Sequence, residues 1–297
     1  MNYPERIASV TELESLLSVP TEGLIEMMKR IDGDIMILGI AGKMGVTMGR
    51  QAVNAIRAAG VSKKVIGVSR FSGKEEREKL EDWGIETIAC DLLDQDAVKS
   101  LPQVKNIVFM AGRKFGTEGS EAQTWAMNIL APSYIGAHFR GSRIVAFSTG
   151  CVYPLVGITS CGCTEEVTPE PVGEYSQSCL GRERIFQYYS QKYGAKVLLF
   201  RLNYAIDLRY GVLHDIARNI WEGRPVDNTV GYFNVIWQGD ANSNALRSFE
   251  LCDSPAAVLN VTGPETASVE KTALQLGALM GKEVVFKGVP GNLCYLN

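Results

Sequence analysis

Residues 34–45, with the sequence DIMILGIAGKMG, decide the fold that we predict for this chain. The stretch begins as a short apolar run, continues through a G-x-x-G-x-x-G turn and leads into a helical pattern. Gly39 permits the tight turn, Gly42 lets the backbone approach a pyrophosphate, and Gly45 allows the helix to pack closely. The N-terminus of that helix offers free N–H groups and a positive dipole to an anion. The stretch therefore predicts a dinucleotide site rather than an ordinary glycine-rich turn.

Apolar runs of the same kind recur along the chain and alternate with longer helical patterns. The further predicted strands are 64–68, 86–89, 106–110, 143–147 and 196–200, and the predicted helices between them are 45–59, 73–83, 121–139 and 174–193. Strands that are apolar throughout and alternate with helices form a parallel sheet covered on both faces. The predicted fold class is α/β, a doubly wound, Rossmann-like parallel sheet of roughly six or seven strands with a smaller C-terminal substrate domain.

Three parts are predicted along the chain. Residues 1–33 form an N-terminal extension of two short helices, for which Ser9 and Thr21 have the spacing of capping residues. Residues 34–204 form the dinucleotide-binding domain. The regular alternation of strands and helices then loosens, so residues 205–297 are interpreted as a smaller substrate-side domain whose elements partly return to the main sheet.

Composition excludes several functional classes. Of the 297 residues, 46% are hydrophobic, and 30 basic residues face 33 acidic ones, for a net charge of −3. This mix is typical of a globular chain, and it lacks the basic block that nucleic-acid binding requires. The N-terminus does not have the pattern of a signal peptide, and no stretch reaches the ~18 apolar residues of a membrane span. We therefore expect a cytoplasmic protein with no nucleic acid and no membrane as partner.

The cysteines and histidines do not predict a metal site. Seven cysteines lack paired C-x-x-C spacing, and the two histidines are isolated from each other. Cys161 and Cys163 are next-but-one neighbours, and a disulfide between them would close a strained ring. Free, reduced thiols are the expectation.

The residues after the second predicted strand bear on which dinucleotide is bound. An NAD site usually has an acidic residue there, which accepts a hydrogen bond from the ribose 2′-OH. This chain has Ser69 and Arg70 instead. Arg binds a 2′-phosphate through two parallel hydrogen bonds, so NADP is favoured over NAD, although Arg70 could instead stack on the adenine. Lys43 and Met44 of the glycine loop are also assigned to the cofactor, with solvated surface as the alternative for Lys43.

Two further motifs carry a resemblance to a known family. They are FSTGCVYP at residues 147–154 and EYSQSCLGRE at residues 174–183. Together with the glycine loop, they resemble the extended short-chain dehydrogenase/reductases, the NAD-dependent epimerase/dehydratase group, over about residues 34–286. The resemblance implies further cofactor contacts, which it places after the third strand, after the fourth strand and in the long helix that follows, at Asp91, Leu92, Ala111, Gly112 and Asn128.

The resemblance also implies the catalytic residues. Thr149 would hydrogen-bond the reacting oxygen, and Tyr175 would be the general acid/base and touch the cofactor. The family's lysine, one helical turn after the tyrosine, is replaced by Cys179. An unperturbed phenol has a pKa of about 10, so another cation is needed to favour the phenolate. The candidates are Arg182, two turns along the same helix face, and Lys114, after the fourth strand. The alternative for Arg182 is surface charge, and the alternative for Lys114 is a contact with the substrate or within its loop.

The expected function is that of an NAD(P)-dependent oxidoreductase or epimerase/dehydratase acting on a hydroxyl or keto group of a sugar or sugar derivative. The alternative is a dinucleotide-binding sensor or scaffold with little or no turnover, which the missing lysine favours. The substrate would be a small molecule, a carbohydrate derivative. A homodimer through the two long helices is also expected, and the aromatic residues that suggest it could alternatively be monomer core: Trp125, Phe186, Tyr188 and Tyr189.

Overall fold

Helices and strands alternate through the protein, whose computed structural model describes residues 4–113, 118–160 and 162–296. The helices are α1 (Val10–Leu17), α2 (Glu22–Arg30), α3 (Gly45–Ala59), α4 (Lys74–Asp82), α5 (Gln95–Lys99), α6 (Glu121–Trp125), α7 (Ala131–His138), α8 (Gly173–Tyr193), α9 (Val212–Trp221), α10 (Gln238–Arg247) and α11 (Val269–Met280). A π-helical turn, Ala126–Leu130, joins α6 to α7, and 3-10 turns span Gly150–Val152 and Ser248–Leu251.

The strands fall into one large sheet and several short pairs. They are β1 (Ile35–Leu38), β2 (Val65–Ser69), β3 (Glu86–Ala89), β4 (Asn106–Phe109), β5 (Arg143–Thr149), β6 (Val156–Gly157), β7 (Lys196–Leu202), β8 (Ala205–Ile206), β9 (Val226–Asp227), β10 (Tyr232–Phe233), β11 (Ile236–Trp237), β12 (Ala257–Val261), β13 (Ala267–Ser268), β14 (Phe286–Lys287) and β15 (Leu293–Cys294).

Seven of the described strands form the central sheet, in the order β12-β7-β5-β4-β1-β2-β3, and all its pairings are parallel. The prediction of a doubly wound α/β fold is confirmed. The chain order reverses between β1 and β4, and ligands of such folds bind outside the carboxyl ends of the strands at this switch point. The strand β5 continues two residues beyond its predicted end, to Thr149.

The apolar strands are explained by cores on both faces of the sheet. In β1, Ile35 and Ile37 point into one core, and Met36 and Leu38 point into the other. Successive side chains of a strand alternate between faces, so a strand covered on both faces needs apolar residues throughout. This arrangement leaves polar side chains to the strand ends, where the candidate site lies.

The predicted helix over residues 121–139 is interrupted by the π-helical turn. The backbone N–H of Ala131 donates to the carbonyl of Ala126, five residues earlier. Pro132 follows directly and has no N–H to donate, so the regular i to i−4 ladder cannot run through this point. A π turn re-phases the helix.

The two predicted N-terminal helices are present as α1 and α2, which we call the N-terminal arm. The predicted caps are confirmed, because Ser9 Oγ accepts from the N–H of Glu12 and Thr21 Oγ1 accepts from the N–H of Leu24. Leu24 of α2 is fully buried in the core beside β1. The arm therefore packs on the dinucleotide-binding fold.

Glu14 of the arm is a buried carboxylate that links two distant parts of the chain. One oxygen lies 2.6 Å from Lys79 Nζ on α4, and the other lies 3.3 Å from Arg209 Nη1, just before α9. Arg209 also pairs with Asp207 at 2.6 Å. The arm thus connects the first half of the sheet with the segment that leads into α9.

The last third of the chain divides its elements between the sheet and a smaller unit. Strand β12 extends the sheet beside β7, and α10 packs on α3. The helices α9 and α11 and the strands β9, β10, β13 and β14, which we call the lobe, enclose a separate small core. Among the residues that the structure describes, we find no helix with the length and apolar character needed to cross a membrane.

Candidate functional site

The glycine loop has the geometry that its sequence predicts. Gly39 has φ +93°, and a Cβ added there would lie 2.8 Å from the backbone nitrogen of Ala111. A Cβ at Gly45 would collide with the backbone carbonyl of Ile40. At Gly42, by contrast, an added Cβ would meet only the Gly39 oxygen, at 3.2 Å. The first and third glycines therefore serve close packing, whereas the backbone at Gly42 is open to a ligand.

The start of α3 completes an anion-binding position. Met44 precedes this helix, no side chain caps its first N–H groups, and no acidic residue stands in its first turn. Such a terminus attracts phosphate. The open backbone at Gly42 and the uncapped helix together fit the pyrophosphate of a dinucleotide. Lys43 lies beside them, with its Nζ 4.8 Å from the ring centre of Tyr210.

The predicted contacts for the adenosine end lie at the ends of β2 and β3. Ser69 is half-buried and Arg70 is exposed, and neither lines the main cleft described below. Asp91 Oδ1 accepts from the N–H of Leu93 at 3.0 Å, so this carboxylate shapes its own turn. Leu92 is buried in the core below.

A cleft of about 780 Å³ opens at the switch point of the sheet. We define its cofactor half as the lining residues of the glycine loop, of the segment after β4, of the end of β5 with the turn that follows, and of the first half of α8. These residues are Gly39, Gly42, Lys43, Met44, Met110, Gly112, Arg113, Phe147, Ser148, Thr149, Cys151, Tyr175 and Arg182. Predicted cofactor and catalytic residues therefore share one cavity. Lys114 lies outside the described residues, as does Cys161.

Thr149 and Tyr175 come to the cleft from different elements. Thr149 is the last residue of β5, and its Oγ1 accepts from the N–H of Cys151 at 3.2 Å. Tyr175 stands in the first turn of α8. Enclosure raises the pKa of the Tyr175 phenol well above its usual value, and the positive charge of Arg182 acts in the opposite direction. Cys179 shares a hydrogen bond with the Tyr175 hydroxyl, and burial raises the pKa of its thiol.

Arg182 is a buried cation in the wall of the cleft. Its Nη1 donates to the carbonyl oxygen of Phe147 at 2.8 Å, and its Nη2 donates to Oδ1 of Asn128. Its Nε is buried and has no hydrogen-bond partner among the residues that the structure describes. A Cβ at Gly112 would lie 2.5 Å from Arg182 Nη2, so the glycine makes room for the guanidinium.

Asn128 holds Arg182 in place and does not line the cleft. Its Nδ2 donates to Ser178 Oγ at 2.8 Å, while its Oδ1 accepts from Arg182. The residue lies in the π-helical turn and is fully buried. Its amide is therefore used within the protein, between two residues of α8.

A buried ion pair fixes α8 against the sheet. Arg201 of β7 donates from Nε and Nη2 to the two carboxylate oxygens of Glu183, at 2.9 and 2.7 Å. Ser148 Oγ donates to the same carboxylate at 2.6 Å, and Arg201 Nη1 donates to the Tyr153 hydroxyl. The hydroxyl of Tyr153 in turn donates to Asn260 Oδ1 at 3.0 Å. Through this network the middle of α8 is held at the end of β5.

The opposite wall of the cleft contains residues that the sequence reasoning missed. They come from the segment after β7 and from the lobe: Tyr204, Tyr210, Gly211, Val212, Asp215, Ile216, Asn219, Val226 and Asp227. Burial raises the pKa of Tyr204 to about 12. Asp215 and Asn219 are one helical turn apart on α9. This spacing is visible in the sequence, but it does not indicate which face of α9 meets the cleft.

Nothing in the described ranges gathers three metal-ligating side chains. The described cysteines, Cys90, Cys151, Cys163, Cys179, Cys252 and Cys294, are free thiols.

Comparison with known proteins identifies the family. The family model described as the NAD dependent epimerase/dehydratase family matches residues 35–225, well over half of the chain. The chain belongs to the NAD-dependent epimerase/dehydratase family. Members of this family are NAD-dependent epimerases and dehydratases, so the protein is an enzyme of this kind. A search of curated proteins finds no match.

Solved structures of the family share the fold at low sequence identity. UDP-glucose 4-epimerase of Thermus thermophilus, in complex with NAD, is 18% identical, with a TM-score of 0.68 over 87% of each chain. The dTDP-glucose 4,6-dehydratase of Bacillus anthracis, in complex with NAD, is 19% identical, with a TM-score of 0.69 over 86% of this chain and 85% of that one. UDP-glucuronic acid 4-epimerase of Bacillus cereus, also with NAD, is 16% identical, with a TM-score of 0.69 over 87% and 88% of the two chains.

Alanine variants of two glycines test whether Gly39 is required for close packing in addition to its backbone conformation. Gly39 and Gly60 both have positive φ, but only at Gly39 would a Cβ meet neighbouring backbone. We expect Gly60→Ala to lower the free energy of unfolding by about 1 kcal/mol, and Gly39→Ala to lower it by about 1–3 kcal/mol more because of overpacking. Urea unfolding of both variants measures the difference. Equal losses would contradict the packing role of Gly39.

Proposed function

We propose that this family member is an NAD(P)-dependent oxidoreductase or epimerase/dehydratase that acts on a hydroxyl or keto group of a sugar or sugar derivative. One observation carries the proposal: Thr149 and Tyr175 line the same cleft as the open backbone of Gly42. The family relatives with nucleotide-sugar names support a carbohydrate-like substrate. The reacting oxygen of the substrate would lie between Thr149 and Tyr175.

The protein's residues would hold the reacting oxygen and move its proton. Bound nicotinamide supplies the hydride acceptor or donor at its C4 atom. Thr149 Oγ1 hydrogen-bonds the substrate oxygen. Tyr175 takes the proton of that oxygen as the phenolate in one direction and returns it as the phenol in the other. Because Glu183 ties α8 to Ser148 of β5 and to Arg201 of β7, both side chains stand on a rigid frame.

Arg182 is proposed to supply the charge that the family's lysine supplies elsewhere. A phenol enclosed by protein is a weak base, because burial disfavours its charged form. Arg182 lowers the pKa of Tyr175 against that effect. Its buried guanidinium lines the cleft and is held by Phe147 and Asn128, so it keeps its charge close to the phenol. Cys179, in the lysine's position, hydrogen-bonds the phenol but carries no positive charge.

Variants of α8 separate these roles through the pH dependence of oxidation. Tyr175→Phe should lower turnover by at least about 100-fold, because the proton acceptor is lost. Oxidation of the substrate hydroxyl requires the phenolate form of Tyr175, so the oxidation rate rises as the pH passes the pKa of Tyr175. Arg182→Met removes a charge that lowers this pKa and should move the rising limb to higher pH by about 1–3 units, while Cys179→Lys should move it to lower pH. Steady-state rates across pH measure both shifts.

Exposed positions on the same helix provide matched controls. Tyr193→Phe removes a phenol hydroxyl and Arg184→Met removes a guanidinium, both at exposed positions away from the cleft. Both variants should leave the dependence of rate on pH unchanged. Arg182→Lys should keep the rising limb close to its position in the unmodified protein, because the variant retains the positive charge. If Tyr175→Phe turned over as fast as the unmodified protein, the proposed mechanism would be wrong. Tight cofactor binding without turnover in any variant, including the unmodified chain, would support a sensor or scaffold instead.

We also propose that NADP(H) binds more tightly than NAD(H). Arg70 is exposed at the end of β2, in a stretch without a carboxylate to accept from a ribose 2′-OH. The hydrogen bonds between the guanidinium and the 2′-phosphate should make NADP(H) bind about tenfold or more tightly than NAD(H). Arg70→Asp should reverse this preference. Calorimetric titration with both cofactors measures the ratio. Equal or tighter binding of NAD by the unmodified protein would overturn this preference.

A homodimer through α6, α7 and α8 is a further proposal. Phe186 is fully buried against Phe109, at 5.4 Å between ring centres, so it belongs to the monomer core. Tyr188 and Leu130, by contrast, are exposed on this helical layer. We expect light scattering to give the mass of a dimer at micromolar concentration, and Tyr188→Glu to weaken the association. A monomeric mass for the unmodified protein would contradict the proposal.

A further inference from the structure

The charges of the cleft are divided between its two walls. Among the described lining residues, the cations Lys43, Arg113 and Arg182 all belong to the cofactor half. The wall formed by the lobe contributes the carboxylates of Asp215 and Asp227, and no described cation lines it. A substrate that reaches from Tyr175 toward the lobe therefore meets negative and neutral groups.

The polar groups of the lobe wall suit hydroxyl groups. Asp215 and Asn219 are one turn apart on α9, and both line the cleft. A carboxylate accepts hydrogen bonds from hydroxyls, and an amide both donates and accepts, so the pair can bind two neighbouring hydroxyls of one ring. Asp227 faces the same space from β9. Its oxygens are held by the N–H of Thr229 at 2.9 Å and by Lys287 at 3.3 Å.

The same wall has no described Arg or Lys side chain that could bind a pyrophosphate. Phosphates are bound in proteins by Arg or Lys side chains or by helix N-termini. The N-terminus of α9 reaches the cleft at Gly211 and Val212, and no side chain caps it, but the carboxylate of Asp215 in its first turn places a negative charge there that disfavours a phosphate. His214 Nδ1 lies 3.4 Å from Asp215 Oδ1, and His214 does not line the cleft.

The buried amide at the back of the cleft is also committed elsewhere. Asn203 donates from Nδ2 to Asn234 Oδ1 at 2.6 Å and to the carbonyl oxygen of Tyr295 at 3.3 Å. Its donors therefore serve contacts of the segment after β7 with Asn234 and with the C-terminal segment. Like the wall of the lobe, this position offers no cation for a phosphate.

We propose that the substrate is a sugar or polyol that carries neither a nucleotide nor a phosphate, and that Asp215 and Asn219 bind its hydroxyl groups. This inference rests on the proposed function for the reacting carbon, and it narrows the substrate class. It separates this chain from its structural relatives whose names include UDP or dTDP sugars. The two residues determine specificity and lie away from the proton-transfer groups.

Saturation-transfer NMR on the cofactor-loaded protein tests the proposal. The probes are D-glucose, D-galactose and myo-inositol as uncharged polyols, and UDP-glucose as the nucleotide sugar. We expect saturation of at least one uncharged probe and none of the uracil protons of UDP-glucose. Asp215→Leu should weaken binding of that probe about tenfold, because a hydrogen bond to a charged group is lost. Arg218→Leu, on an exposed position of the same helix, should leave it unchanged.

Three results would overturn the inference: saturation of the uracil protons, absence of signal from every uncharged probe, or equal binding of the polyol by Asp215→Leu and the unmodified protein. Cofactor binding is read in the same samples from the adenine protons. If those protons show no saturation, the failure lies with the proposed function rather than with the substrate class. The thermal midpoint of each variant establishes that α9 remains folded.

Discussion

A buried ion pair between Glu183 and Arg201 holds together the elements that form the cofactor half of the cleft. Two charges removed from water stabilise a fold only when their hydrogen bonds are met. Here both carboxylate oxygens and three guanidinium nitrogens have partners, supplied by each other, Ser148 and Tyr153. Loss of either charged partner would leave the other charge buried and unpaired. The register of α8 against β5 and β7 is therefore strongly determined, and the positions of Tyr175 and Arg182 follow from it.

The sheet was predictable from sequence because its physical cause is local. Strands covered on both faces must be apolar at every position, and the predicted runs coincide with β1–β5 and β7. The glycine loop was predictable for a similar reason, since backbone geometry and crowding allow only glycine at Gly39 and Gly45. The wall formed by the lobe was not predictable. Which face of α9 meets the cleft depends on how the lobe packs, and the positions of Asp215 and Asn219 carry no motif.

Arg182 is held differently from the lysine that we propose it replaces. A lysine one turn after the tyrosine would place its charge on a flexible stem, whereas Arg182 approaches from a second turn with a planar group held at both ends. The π-helical turn presents Asn128 to one end, and the end of β5 presents the Phe147 carbonyl to the other. Gly112 leaves the space that the guanidinium occupies. Phe147, Asn128 and Gly112 thus form a set of neighbours that fits the guanidinium of Arg182.

The N-terminal arm also contributes to the position of the lobe. Glu14 is carried by α1 and contacts Lys79 on one side and Arg209 on the other. Arg209 stands just before α9, so the same carboxylate contacts the sheet's first half and the segment that leads into the lobe. A displacement of that segment that separated Arg209 from Glu14 would leave the buried carboxylate with Lys79 as its remaining ion-pair partner among those described here, which costs free energy. A single buried charge on the arm thus couples the docking of the N-terminal helices to the placement of one wall of the cleft.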